Sequence, residues 1–112
     1  MAELEELTCL RFLPAEEEVL PRMDIWAEQL GGYCYTNWNT DGNGHTLAEV
    51  YLSPNSSCTV QRTVQHELLH GVAFYHTHTR ADREEHVFIN WENIINSQRE
   101  NFEVCSGCCC QT

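Results

Sequence analysis

Short β-prone runs at residues 24–27, 33–38 and 47–52 alternate with turn signals, first the Gly31-Gly32 break and then the polar stretch Asp41-Gly42-Asn43-Gly44, and predict three strands. Pro54-Asn55-Ser56-Ser57 ends the sheet. From about Thr59 the period changes: Val60, Val64, Leu68 and Val72 stand four residues apart on one face of a predicted helix. At the start of the chain Leu4 and Leu7, three apart among helix formers, read as the last turns of a helix that feeds the short apolar run of residues 9–13. Pro14 and Pro21 bracket an acidic stretch that reads as a solvated excursion. Beyond Phe74 the pattern turns polar and irregular, then apolar again at residues 87–89 and 91–95. The expected class is α+β, a twisted sheet of short strands packed on one helix.

That helix carries the candidate chemistry. The stretch His66-Glu67-Leu68-Leu69-His70 puts two imidazoles four residues apart, on one helical face, where both can reach a single ion at Zn–N distances of about 2.0 Å. Glu67 follows the first ligand, so its carboxylate can lean over the same site without binding the metal and take a proton from a zinc-activated water. Three protein ligands with one open position distinguish a catalytic zinc from a structural one, and His76 is the natural third. It lies six residues past His70, too far to share the ion along a straight helix. The helix must therefore end near Ala73 and the chain fold back, with Gly71 and Ala73 as the points of reversal. His78 follows the same turn and competes with His76. The alternative is that His66 and His70 are ordinary hydrogen-bonded side chains on a polar helix face. His45 and His86, with no partner at ligand spacing, are read as surface residues.

Composition narrows what the site can serve. With 112 residues there is room for one small core. Six basic against 17 acidic residues give a net charge of -11, which repels phosphate backbones and excludes nucleic acid as an expected partner. No apolar run approaches the roughly 20 residues of a membrane span, and the first six residues lack the basic and apolar regions of a signal peptide. Seven cysteines, by contrast, are typical of oxidised, exported chains, and the odd number leaves at least one without an internal partner. The expectation from this conflict is a part of a longer secreted product, or one whose signal lies upstream. Asn55-Ser56-Ser57 is a glycosylation sequon that has meaning only in an exported chain, and a chance match is an equal alternative.

The run from His66 through Gly71, Phe74 and His76, followed by Thr77-His78-Thr79-Arg80-Ala81-Asp82-Arg83 and Val87-Phe88-Ile89-Asn90-Trp91, resembles the astacin metallopeptidases. Their pattern is H-E-x-x-H-x-x-G-F-x-H-E-H-x-R-x-D-R-D-x-Y-V-x-I-N-W. The likeness extends upstream through residues 3–12 and 32–35. It implies the upper lobe of a zincin-like fold, with residues 1–104 a partial catalytic domain that stops before the family's Met-turn, its nearby tyrosine and the C-terminal lobe. It implies a secreted zinc endopeptidase that binds one Zn2+ per chain through His66, His70 and His76, uses Glu67 as general base, and takes a polypeptide as substrate. The other reading is a truncated, inactive remnant that binds zinc or peptide. The resemblance also implies a Cys34–Cys58 disulfide across the sheet and a partner for Cys9 beyond Thr112. It places residues 48–52 near a sheet edge that binds extended peptide, although an ordinary half-buried strand is an equal reading.

Positions that differ from the family pattern within the matched stretch include Ala73, Thr77 and His86. Ala73 stands where the family has the glycine that lets the helix end in a left-handed conformation; a Cβ there costs about 1–2 kcal/mol. Thr77 replaces the glutamate that in the family anchors the buried amino terminus of the mature enzyme, and His86 replaces a tyrosine. Residues 105–112 hold four cysteines with no counterpart in the pattern. They read as a divergent Cys-rich tail; Cys105-x-x-Cys108 has thiolate spacing for a soft metal, but no second such pair completes a site.

Overall fold

The computed structural model describes residues 1–16, 19, 21–27, 31–40, 46–54 and 56–105. Its elements in chain order are helix α1 (Ala2–Leu7), strands β1 (Arg22–Trp26), β2 (Cys34–Thr40) and β3 (Thr46–Leu52), a 3-10 turn (Ser57–Thr59), helix α2 (Gln61–Gly71), and four further 3-10 segments (Thr77–Thr79, Arg83–Glu85, Trp91–Asn93, Asn96–Phe102). The helices with a small mixed sheet make the α+β class expected from the sequence. Contacts divide the chain into two compact units, Met1–Ala73 and Phe74–Thr112.

In Met1–Ala73 the three strands form one sheet in the order β1-β3-β2. β1 runs parallel to β3, with Met23 opposite Ala48 and Ile25 opposite Val50. β2 runs antiparallel to β3, with Thr36 opposite Val50 and Trp38 opposite Ala48. Because side chains alternate along each strand, Met23, Thr36, Trp38, Ala48 and Val50 share one face. Val50 is fully buried on that face, as is Leu68 of α2, so the helix seals the sheet with its apolar side. Of the two equal readings for residues 48–52, the pairing and burial of β3 favour the ordinary half-buried strand over a peptide-binding edge. β3 is the central strand with both of its edges paired, and among the described residues the edges of the sheet are β1 and β2.

Predicted boundaries move by one or two residues, for tertiary reasons. Arg22 joins β1 because it pairs with Leu47, and α2 begins at Gln61 because residues 57–59 are taken up by a 3-10 turn. Ser56 caps that turn, its hydroxyl accepting from the Cys58 N–H at 3.1 Å. The Cys34–Cys58 disulfide then ties the start of β2 to the entry of α2. Glu3 links the two helices: its carboxylate accepts from the side-chain amide of Gln65 at 2.7 Å and from that of Gln61.

The C-terminal end of α2 explains the reversal. Val72 N–H donates to both Leu68 and Leu69 carbonyls at 3.2 Å, and Ala73 N–H donates to His70 at 2.8 Å, which tightens the last turn. Ala73 then sits at φ +69°, the left-handed conformation that ends a helix. Gly71, the other expected reversal point, remains helical. Its missing Cβ instead makes room for β1, because a methyl there would overlap Met23 Cε.

In Phe74–Thr112 the organising side chain is Arg83, 5% exposed. Its guanidinium donates to the carbonyls of His78 (3.2 Å) and Phe102 and to the Glu84 carboxylate (2.9 Å), and lies 5.8 Å from the Trp91 ring centroid. Thr79 O accepts from the Cys105 N–H at 2.8 Å, fixing the far end of the described chain to the 3-10 turn that follows His76. Cys108, Cys109 and Cys110, like His45 and the sequon residue Asn55, lie outside the described residues.

Candidate metal centre

A helix turns about 100° per residue, so His66 and His70 stand about 40° apart while Glu67 and Leu68 point elsewhere. The structure follows that geometry. His66 Nε2 and His70 Nε2 are 3.0 Å apart, with ring planes inclined at 76°. Two nitrogens each about 2.0 Å from one tetrahedral zinc stand about 3.3 Å apart, so the pair is already at ligand spacing. On the inner side, Trp38 of β2 meets the His70 ring edge-on at 6.5 Å between centroids, which limits how that imidazole can turn.

Glu67 lies on the buried flank of the same helix, 6% exposed. The Thr36 hydroxyl reaches its carboxylate Oε2 at 2.8 Å and its backbone oxygen at 3.0 Å. The carboxylate is thus held against β2. Thr36 escaped the sequence reading, which treated its strand only as part of the sheet. Strand alternation, placing Cys34, Thr36 and Trp38 on one face, was the available signal.

His76 precedes the Thr77–Thr79 turn at φ −64°. One ligand nitrogen from each of His66, His70 and His76 lies within 4.8 Å of the others. The donor set fits zinc: three neutral imidazoles are the nitrogen ligands that the ion takes when a fourth position stays open to solvent. His78, the competing candidate, is engaged elsewhere. Its Nε2 is 2.8 Å from the Asn101 carbonyl and its ring packs near Phe102 at 5.2 Å. His86 is exposed, 3.8 Å from Asp82, and far along the chain from the ligand spacing. Asp82 itself is paired with Arg80 at 2.6 Å, and that hydrogen bond holds its carboxyl below the usual aspartate range.

A cleft of about 1200 Å³ runs along β1 between residues 10–16 and the end of α2. Trp38 and Ala73 touch it, while His66, Glu67 and His70 are not among the residues that line it.

The family model described as Astacin, a peptidase family, matches residues 1–111. The chain belongs to the astacin family. It is 39% identical over 103 residues to the low choriolytic enzyme of Oryzias latipes, covering 92% of this chain and 35% of that protein. It is 33% identical over 103 residues to an astacin-like metalloendopeptidase of Gallus gallus, covering 92% of this chain and 23% of that one. Among solved structures it is similar to high choriolytic enzyme 1, a hatching enzyme zinc-protease of Oryzias latipes, with a TM-score of 0.62 at 31% identity, over 86% of this chain and 44% of that chain. The chain therefore spans less than half the length of each of these relatives. No helix among the described residues of this astacin-family chain is long and apolar enough to cross a membrane.

Proposed function

We propose that the chain belongs to a zinc metalloendopeptidase that hydrolyses peptide bonds of a polypeptide substrate, with His66, His70 and His76 holding one Zn2+ per chain and Glu67 acting as general base. The observation that carries this reading is the convergence of three imidazoles around a helix whose next side chain is a held carboxylate. When bound, zinc supplies Lewis-acid chemistry, lowering the pKa of water and polarising a carbonyl. His66 and His70 orient the ion from one helical face, and His76 closes the set after the turn at Ala73. Glu67 takes the proton from the attacking water at a carboxylate oxygen and returns it to the departing amine.

The reading includes residues 1–104 as the catalytic-domain part and 105–112 as a separate Cys-rich tail. An extracellular setting is supported by the Cys34–Cys58 disulfide, which persists in oxidising compartments.

The test is cleavage of a fluorogenic peptide by the zinc-loaded chain beside Glu67→Gln. The expected outcome is turnover that a chelator abolishes and that Glu67→Gln lowers by about 10²- to 10⁴-fold. One zinc per chain with no turnover would assign the chain the other reading, a metal-binding remnant without catalysis.

A further inference from the structure

We infer that Thr36 is the positioning residue of the proposed general base: its hydroxyl locks the Glu67 carboxylate to the backbone of α2. The inference rests on the assignment of Glu67 made above. Three inward side chains of β2, at two-residue steps, each engage a different part of the α2 region. Cys34 is bonded to Cys58 before the helix, Trp38 meets the ring of His70 near its end, and Thr36 lies between them against Glu67. The strand is thereby registered on both sides of Thr36. Its Oγ1 cannot slide relative to the helix without disturbing a covalent bond or an aromatic contact.

The contact itself spans two oxygens of one residue. Oγ1 is 2.8 Å from Glu67 Oε2 and 3.0 Å from Glu67 O. One hydroxyl proton serves both acceptors, so the side-chain end of Glu67 is tied to its own main chain through a single donor. A free glutamate has three rotatable side-chain bonds, and a carboxylate displaced by about 1 Å can lose a hundredfold in rate, so such a tie bears directly on the chemical step. Threonine suits the task. Its β-branched side chain has few χ1 options on a strand, which holds the hydroxyl in one direction. The contact is also shielded, because Glu67 is 6% exposed and Thr36 is half-buried.

The test uses Thr36→Val, which keeps the shape and removes the donor, and Thr36→Ser, which keeps the donor. In the metal-free chain Thr36→Val is expected to lower Tm by about 5 °C or more, because it leaves a buried carboxylate without its donor. In a Glu67→Leu background, where the bond to the main-chain oxygen of residue 67 is all that remains to lose, the same change should lower Tm clearly less. Equal Tm losses in both backgrounds would overturn the contact. In the zinc-loaded chain Thr36→Val should retain one zinc and its KM while kcat falls about 10- to 100-fold, with Thr36→Ser restoring most of the loss. An unchanged kcat would overturn the positioning role. A parent chain that holds zinc yet cleaves nothing would sink the proposed function instead, and the paired Tm comparison would still decide whether Thr36 holds Glu67.

Discussion

Among the described residues of Met1–Ala73 the largest fully buried side chains are Val50, Cys58 and Leu68, an apolar seam between sheet and helix closed by a disulfide; among those of Phe74–Thr112 the buried side chain is Arg83, a guanidinium surrounded by carbonyl oxygens. Burial of apolar area stabilises the first unit without regard to direction. Directed hydrogen bonds and one charge stabilise the second, where Arg83 reaches the main-chain oxygen of nearby His78 and that of Phe102, which is 19 residues away in sequence. The difference teaches how each unit, taken by itself, holds the residues that the proposed function uses. A packed seam fixes a helix face, and with it His66, Glu67 and His70. A polar hub fixes an irregular loop, and with it the turn that follows His76.

Breaking the seam should have the largest effect. Leu68→Ala is expected to cost about 3–5 kcal/mol, since it opens a cavity at a side chain only 1% exposed, and thermal unfolding followed by circular dichroism would show it. Breaking the hub should cost less. Arg83→Met keeps the apolar stem but strands two carbonyls, for an expected loss of about 2–3 kcal/mol; hydrogen exchange should report it as faster exchange at the Cys105 amide, which donates to Thr79 O. Arg83→Lys should recover little of this, because an ammonium cannot reproduce the forked donor set.

The turn between α2 and His76 offers a gain. Ala73→Gly relieves left-handed strain of about 1–2 kcal/mol while adding about 0.4–1 kcal/mol of unfolded-chain entropy, so a net stabilisation of about 0.5–1 kcal/mol is expected in chemical denaturation. The smallest effect concerns Asp82. Its carboxyl titrates below the ordinary value because Arg80 donates to it, so its contribution is present above the unfolded aspartate pKa and fades as pH falls through the folded one. Asp82→Asn should therefore flatten the pH dependence of stability slightly on the acid side of about pH 4, in a series of Tm measurements.

The same contrast governs what could be read from the sequence. The sheet and α2 were legible because burial leaves a period: valines and leucines at strand or helix spacing mark the seam, and His66 and His70 inherit their geometry from it. The end of the helix near Ala73 was legible from the six-residue gap to His76, which a straight helix cannot span, while its left-handed conformation came only from the resemblance to the family's glycine. The order of the strands was not, since alternation says which face a residue takes and nothing about which neighbour it pairs with; hence an edge and an ordinary half-buried strand stayed equal readings for residues 48–52 until the central place of β3 decided between them. The hub at Arg83 was invisible for another reason. A guanidinium bonding to carbonyls of residues 78 and 102 leaves no periodic trace, because every residue carries a carbonyl. Thr36 was missed likewise, as its partner lies 31 residues away on another element.

The central claim is that two imidazoles fixed by the seam and one presented after the turn bind a single ion. Zinc titration against a competing chromophoric chelator, run on the unchanged chain, His70→Ala and His76→Ala, tests it most directly. The account predicts one zinc per chain in the parent and a large loss of affinity in each variant. Zinc held as tightly by either variant as by the parent would contradict it.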